Sequence, residues 1–368
     1  MLGLRKAPDM GQKTYAYTKA CGIISKSFIG DKTKNLERVS SLAELDRVIF
    51  PEAPHDLPEK ELLLNLESRI TERAVKSVIS IVGSFSEPPE FLTLMVRIYE
   101  YADLKNAILA YLEKDNRAPA HTDLGRFQTV RFEAWPDMRA MLENTEFAFL
   151  LGKDGQLQDE DEDGFLESLL DRRYYTALWE SLFALPQNER YVIEKILADE
   201  ISLKNCCWAL RLRTYYGMTN DEIKSHLIDI QVGDRNISGR KRSLAHEALA
   251  SLELPLDNFS AWSSWRWKNL INPDGGGSHP EHGRSMPSFV PGYSRGHWHI
   301  DPQFFQNAAS RYLYRLARHN FCFDQFSINT IFCFIKLKEF EEDILTRSAE
   351  GLNIGMSGRD ILSLVGME

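Results

Sequence analysis

The sequence has no apolar run long enough to cross a membrane. A spanning helix takes about 20 mostly apolar residues, and the best candidate, Ile331 to Ile335, stops at Lys336. The opening Met1-Leu2-Gly3-Leu4-Arg5-Lys6 has no apolar core behind it, so it does not read as a secretory signal. Cysteine is sparse. Cys21, Cys206, Cys207, Cys322 and Cys333 form an odd set without CxxC spacing, which favours reduced thiols in a cytosolic chain over a disulfide framework. Net positive charge is lacking too. A formal charge of −9 argues against broad contact with nucleic acid or anionic membrane, since neutralising phosphates takes clustered Lys and Arg. The local basic run Arg240-Lys241-Arg242 reads as a solvated helix face. Catalytic signatures are also missing. Gly30-Asp31-Lys32-Thr33 lacks the GxxxxGK[ST] frame that cradles phosphates, and no GxGxxG, HExxH, GxSxG or kinase set occurs. No cofactor is called for, and the chain alone is not expected to be an enzyme.

What is present is helical periodicity. In Leu62 to Val82 the apolar Leu62, Leu66, Ile70, Val75 and Val78 recur at about helical spacing, with Glu61, Glu67, Arg69 and Glu72 between them. Ser41-Leu42-Ala43-Glu44 has the form of a capping box, and the helix it opens should end near Pro51. The expected fold class is all-α. Breaks fall at Lys114 to Thr122, at the acidic run Asp159 to Asp163, and at the Gly/Pro-rich stretch Asn272 to Gly296, which reads as a surface insertion.

The sequence also repeats itself. Arg211 to Ile223 and Ala349 to Ile361 match at Gly217 and Gly355, Met218 and Met356, Thr219 and Ser357, and Ile223 and Ile361, all offset by 138 (355 − 217). Glycine supplies the left-handed conformation that closes a helix. The Thr or Ser two residues later caps the next helix, with Glu222 or Asp360 as its reciprocal partner. A fainter copy aligns Asp103-Leu104-Lys105-Asn106 with Ser202-Leu203-Lys204-Asn205 at an offset of 99 (205 − 106). Three related helical units in tandem follow.

Candidate chemistry is thin. His279, His282, His297, His299 and Asp301 surround the Gly-rich stretch and have ligand chemistry, but their spacing fits no standard zinc site. The bland reading is surface histidines, and no metal site is expected. The aromatics Trp262, Trp265, Trp267, Phe304, Phe305, Tyr312 and Tyr314 read as core or interface, and Cys206-Cys207 as packing within a helix. Polar residues inside apolar helices are more suggestive. Glu200, Lys204 and Asn205 interrupt one pattern, and Lys336, Lys338, Glu339, Glu341 and Glu342 interrupt another. Such charge is usually a wet face; its recurrence here suggests paired groups or a polar lining.

These residues resemble the C subunit of V-type and archaeal-type ATPases, called subunit d in the eukaryotic vacuolar enzyme. Asp103 to Asn106, Glu200 to Asn205 and Phe334 to Glu341 are similar to successive versions of the family's acidic-x-x-Asn-Leu-Arg type motif. The reversals at Gly217 and Gly355 resemble the family's, and Tyr15-Ala16-Tyr17 its Tyr-rich opening. The chain departs from the pattern as well: Cys207 stands where Arg is usual, Leu337 where Glu is usual, and Ile344 replaces a polar residue. The resemblance implies three helical-bundle units, 1–119, 120–233 and 234–368 with an insertion at 272–296, arranged as a pseudo-three-fold funnel. It further implies a non-catalytic central-stalk subunit on the cytoplasmic side, with shaft subunits and the membrane proteolipid ring as partners. Asp103, Asn106, Glu200, Asn205, Gly217, Lys336, Glu339, Glu341 and Gly355 become structural or interface candidates. Two competing readings are a helical-repeat interaction scaffold, whose period of about 20–50 residues the offsets do not match, and a metal-dependent hydrolase built on the histidine stretch.

Overall fold

A computed structural model describes residues 10–52, 58–115, 117–157, 166–233, 241–271 and 299–365. Among the described residues the chain is mostly helical. Its α-helices are α1 (Met10–Ile24), α2 (Leu42–Ile49), α3 (Glu59–Val82), α4 (Glu90–Leu112), α5 (Met138–Leu142), α6 (Leu166–Ser181), α7 (Gln187–Tyr216), α8 (Asn220–His226), α9 (Leu244–Ser251), α10 (Phe259–Arg266), α11 (Pro302–Phe323), α12 (Ile328–Asn353) and α13 (Gly358–Val365). None of them is long and apolar enough to cross a membrane.

Local chemistry explains where the helices start and stop. Pro58, Pro89 and Pro186 stand immediately before α3, α4 and α7, where a missing N–H removes nothing from the first turn. Ser41 accepts from the Glu44 amide at 3.2 Å to open α2, as its sequence foretells. The reciprocal half reaches one residue further back than a capping box would, because the Glu44 carboxylate takes the amide and hydroxyl of Ser40. Thr219 and Glu222 do close a full capping box on α8. The basic run is a correction. Lys241–Ser243 is not a helix face but β2, paired antiparallel with β1 (Gln231–Gly233). Arg242 lies half-buried there and is paired with Glu247, so the run is diverted from helix by the ribbon it closes.

At the centre lies α12, packed against α3, α11, α1, α7 and α13. Phe334, Ile335, Leu337, Lys338, Phe340 and Glu341 are all buried, so the helix has no wet face over this stretch. The starts of α4, α7 and α12 lie together. The Phe91 ring of α4 sits 5.8 Å from the Phe332 ring of α12, and Glu189 of α7 accepts the Ile328 amide at 3.0 Å. The last described helix returns to the first part of the fold: α13 packs on the 3-10 segment Gly30–Arg38, so closely that a Cβ at Gly358 would collide with the Leu36 carbonyl. A large apolar cluster runs from α1 through α12, and a smaller one joins α7, α9, α10 and α11.

Candidate functional site

The polar residues that break the apolar pattern of α12 are buried or half-buried, and between them they reach α7, α3 and α4. Lys336 Nζ lies 2.9 Å from Glu200 Oε1 on α7 and 2.9 Å from Glu339 Oε2. Tyr175 of α6 donates to the same Glu200 oxygen at 3.1 Å. Burial works against the Lys336 charge, but the Glu200 and Glu339 carboxylates outweigh it and hold the ammonium above the usual lysine range. Burial pushes the Glu339 carboxyl upward despite Lys336, with Glu200 adding to the rise. The paired groups foreseen in the sequence are therefore Glu200, Lys336 and Glu339 in one cluster. They border a cavity of about 170 Å³ between α7, α11 and α12, which Asp343 and Arg347 also line.

One residue further round the helix, Lys338 is paired with Glu341, both 2% exposed. Glu341 also accepts the Phe28 amide at 2.8 Å and lies 3.5 Å from the Arg73 guanidinium of α3. Burial lowers the Lys338 ammonium below its usual range, because the single Glu341 carboxylate does not fully compensate and Arg73 adds repulsion. Glu341 itself is held low: burial raises it, but Lys338, the Phe28 amide and Arg73 together win. Glu342 points to a third neighbour set, accepting from Thr71 of α3 at 2.7 Å and Tyr99 of α4 at 3.0 Å, and burial raises its carboxyl.

The other candidates divide. Asn205 is buried in α7 and clamps Ile228 with both ends of its amide, at 2.9 Å to the N–H and 2.8 Å to the C=O. Asn106, its sequence counterpart, is exposed on α4. Asp103 accepts the Thr122 amide at 2.7 Å, and its burial raises the carboxyl against that bond. Gly217 and Gly355 take φ of 66° and 84°, the left-handed conformation expected of both. Ser357 caps α13 by accepting from the Asp360 amide at 3.2 Å.

Two residues escaped the sequence reading. Asp171 of α6 lies 2.9 Å from Lys105 and 3.6 Å from Lys204, so one carboxylate ties together the lysines that match at the offset of 99. The matched lysines were the available signal, and their common partner was not in the repeat. Glu100 of α4 accepts the Val130 amide at 2.7 Å and Arg97 at 2.9 Å. It sits one turn before Asp103, in a stretch whose charge looks like an ordinary helix face.

The thiols of Cys206 and Cys333 are buried and pushed up, and Cys206 reaches about 12. Trp262, Phe305, Tyr312 and Tyr314 are buried, with Trp262 and Trp265 rings 6.0 Å apart, as packing predicts. The side chains of Trp267 and Phe304 lie outside the described residues, as do His279, His282, His297 and the runs 159–163 and 272–296. His299 is exposed. Among the described residues no group of three or more His, Cys, Asp or Glu could hold a metal ion.

What this geometry defines is a class: a helical body in which charged side chains brace helix against helix. Within that class the chain belongs to the ATP synthase (C/AC39) subunit family, whose profile matches residues 52–238. It is also similar to an uncharacterized protein of Treponema pallidum (strain Nichols), 25% identical over 341 residues that cover 93% of this chain and 92% of the relative.

Proposed function

We propose that the chain is a non-catalytic central-stalk subunit of a rotary V-type or A-type ATPase, coupling the rotor shaft of the head to the membrane proteolipid ring for proton or sodium transport. It would act from the cytoplasmic side, with its three units, 1–119, 120–233 and 234–368, forming a pseudo-three-fold funnel. Family membership supplies the complex; the carrying observation is a shared joint on the three long helices. Glu100 on α4 catches the backbone at Val130, Asn205 on α7 catches it at Ile228, and Glu341 on α12 catches it at Phe28. In each case a buried side chain of the long helix pins a crossing segment by its N–H. Such joints favour stiffness, which torque transmission needs and acid–base chemistry does not.

The test is affinity purification of the tagged chain from mildly solubilised native membranes, followed by mass spectrometry. Recovery of head, shaft and proteolipid subunits is the expected result. Recovery of unrelated soluble partners, or of the chain alone, would overturn the central-stalk role and favour a helical-repeat scaffold.

A further inference from the structure

A groove of about 850 Å³ runs between α1, the end of α2 and one face of α3. Its floor is apolar, with Ile23, Ile49, Phe50 and Pro51. Its walls carry four cations, Lys19, Arg69, Arg73 and Lys76, against two carboxylates, Glu52 and Glu72, on a chain whose formal charge is −9. The distribution of the counter-charges matters more than this tally. Arg69 is paired with Asp46 at 2.8 Å and Arg73 lies 3.5 Å from Glu341, yet both carboxylates are only 2% exposed while the guanidinium side chains are 21% and 26% exposed. The acids lie behind the cations. A visiting molecule therefore meets the two guanidinium groups, Arg69 stacked on the Phe50 ring at 4.1 Å, before it meets Asp46 or Glu341. Lys19 donates to the Ser80 carbonyl at 2.8 Å, a neutral partner that leaves its charge uncompensated. Lys76 pairs with Glu72 at 2.9 Å, but both are open to water, where such a pair contributes little.

The spacing selects the shape of the visitor. Arg69, Arg73, Lys76 and Ser80 follow one another at four, three and four residues, so they form a stripe along one face of α3. The eleven steps from Arg69 to Ser80 extend about 16 Å at 1.5 Å per residue. A point anion would use one cation and leave the floor wet. A helix with carboxylates every three or four residues and an apolar edge would engage the stripe and cover Ile23, Phe50 and Pro51 together.

We propose that this groove docks an acidic amphipathic helix of a partner protein. The proposal stands whether or not the chain couples a rotor. It is tested on the full-length protein with two synthetic helical peptides of about 15 residues. One carries glutamates three and four apart beside a leucine edge, and the other carries lysines in place of the glutamates. By fluorescence anisotropy the glutamate peptide should bind saturably and more weakly at high salt, and the lysine peptide should not bind. Lys19→Glu combined with Lys76→Glu should weaken binding by about tenfold or more. Lys76→Glu alone, at an exposed position, should show a smaller loss in the same direction. Equal binding of the two peptides, no binding, or indifference to charge reversal would overturn the proposal. Displacement of the glutamate peptide by vesicles with anionic headgroups would also overturn it and assign the groove to a membrane surface.

Discussion

Lys336 and Lys338 stand two residues apart on α12, and their charged neighbours treat them oppositely. Lys336 meets two carboxylates and a Tyr175-bonded Glu200, and its ammonium is held above its ordinary range. Lys338 meets one carboxylate in a drier place, with Arg73 close by, and its ammonium is driven below that range. Desolvation is unfavourable for both. Whether a buried cation keeps its proton firmly is decided by how many carboxylates reach it and by whether another cation shares them. On this reading the Lys336 side of the helix is an over-compensated joint, and the Lys338 side is a balanced one that depends on Glu341.

That dependence sets the largest expected effect. Glu341→Ala removes the carboxylate paired directly with Lys338, strands the Phe28 amide and unpairs Arg73 from the centre of the fold. Losing one partner of a buried pair costs about 3–5 kcal/mol, which should appear as a large drop in the urea midpoint at neutral pH. Because the Glu341 carboxyl titrates below its usual value, its contribution is present above the unfolded value of 4.5 and is lost as pH falls through the folded one. Glu200→Gln is milder. Lys336 keeps Glu339, and the amide can still accept from Tyr175, so the expected cost is about 1–3 kcal/mol, the range for a hydrogen bond to a charged group. Equal losses in the two variants would break the comparison.

A pH series sharpens it. The folded Lys338 releases its proton below the unfolded value of 10.5, so its presence makes stability rise with pH from the folded value up to 10.5. Lys336 has the opposite sign: its contribution is full below 10.5 and is lost as pH rises through the higher folded value. Unfolding free energies of wild type, Lys338→Met and Lys336→Met across the alkaline range should separate accordingly. Lys338→Met abolishes an upward slope, whereas Lys336→Met abolishes a downward one. Slopes of the same sign would show that the two joints are alike.

The helices, their caps and the paired reversals were legible because they rest on local rules. Gly217 and Gly355 needed only a left-handed turn, and Thr219 and Glu222 needed only each other. The joints were half legible. Lys336, Glu339 and Glu341 stood out as charges inside an apolar run, and Glu200 as another, but which carboxylate served which lysine depended on how far α7 and α3 were rotated against α12. Asn205 and Asn106 show the limit most clearly. They occupy the same place in a Leu-Lys-Asn match, yet one clamps a buried backbone and the other faces water, because a returning segment crosses α7 at Asn205, whereas the segment passing α4 is caught at Thr122 by Asp103. The ribbon at Lys241–Ser243 was missed because three residues are too few for a strand pattern to be distinguished from a helix end.

The smallest effect concerns Glu342, and its sign is opposite to the others. This carboxyl takes hydroxyls from Thr71 and Tyr99 but has no directly bonded cation, and burial raises it from the usual 4.5. A raised acid has bound more protons in the folded state, so between 4.5 and its folded value stability falls as pH rises. Above that window the charge remains as a standing cost. Glu342→Gln removes the charge while keeping an oxygen for the two hydroxyls. It should therefore raise stability at neutral pH, and the gain should fade as pH approaches 4.5. Thermal midpoints of wild type and variant at neutral and acidic pH measure this directly. A loss of stability at neutral pH would mean that Glu342 is held by Lys338 after all, and the Lys338 side would then count two carboxylates, as the Lys336 side does.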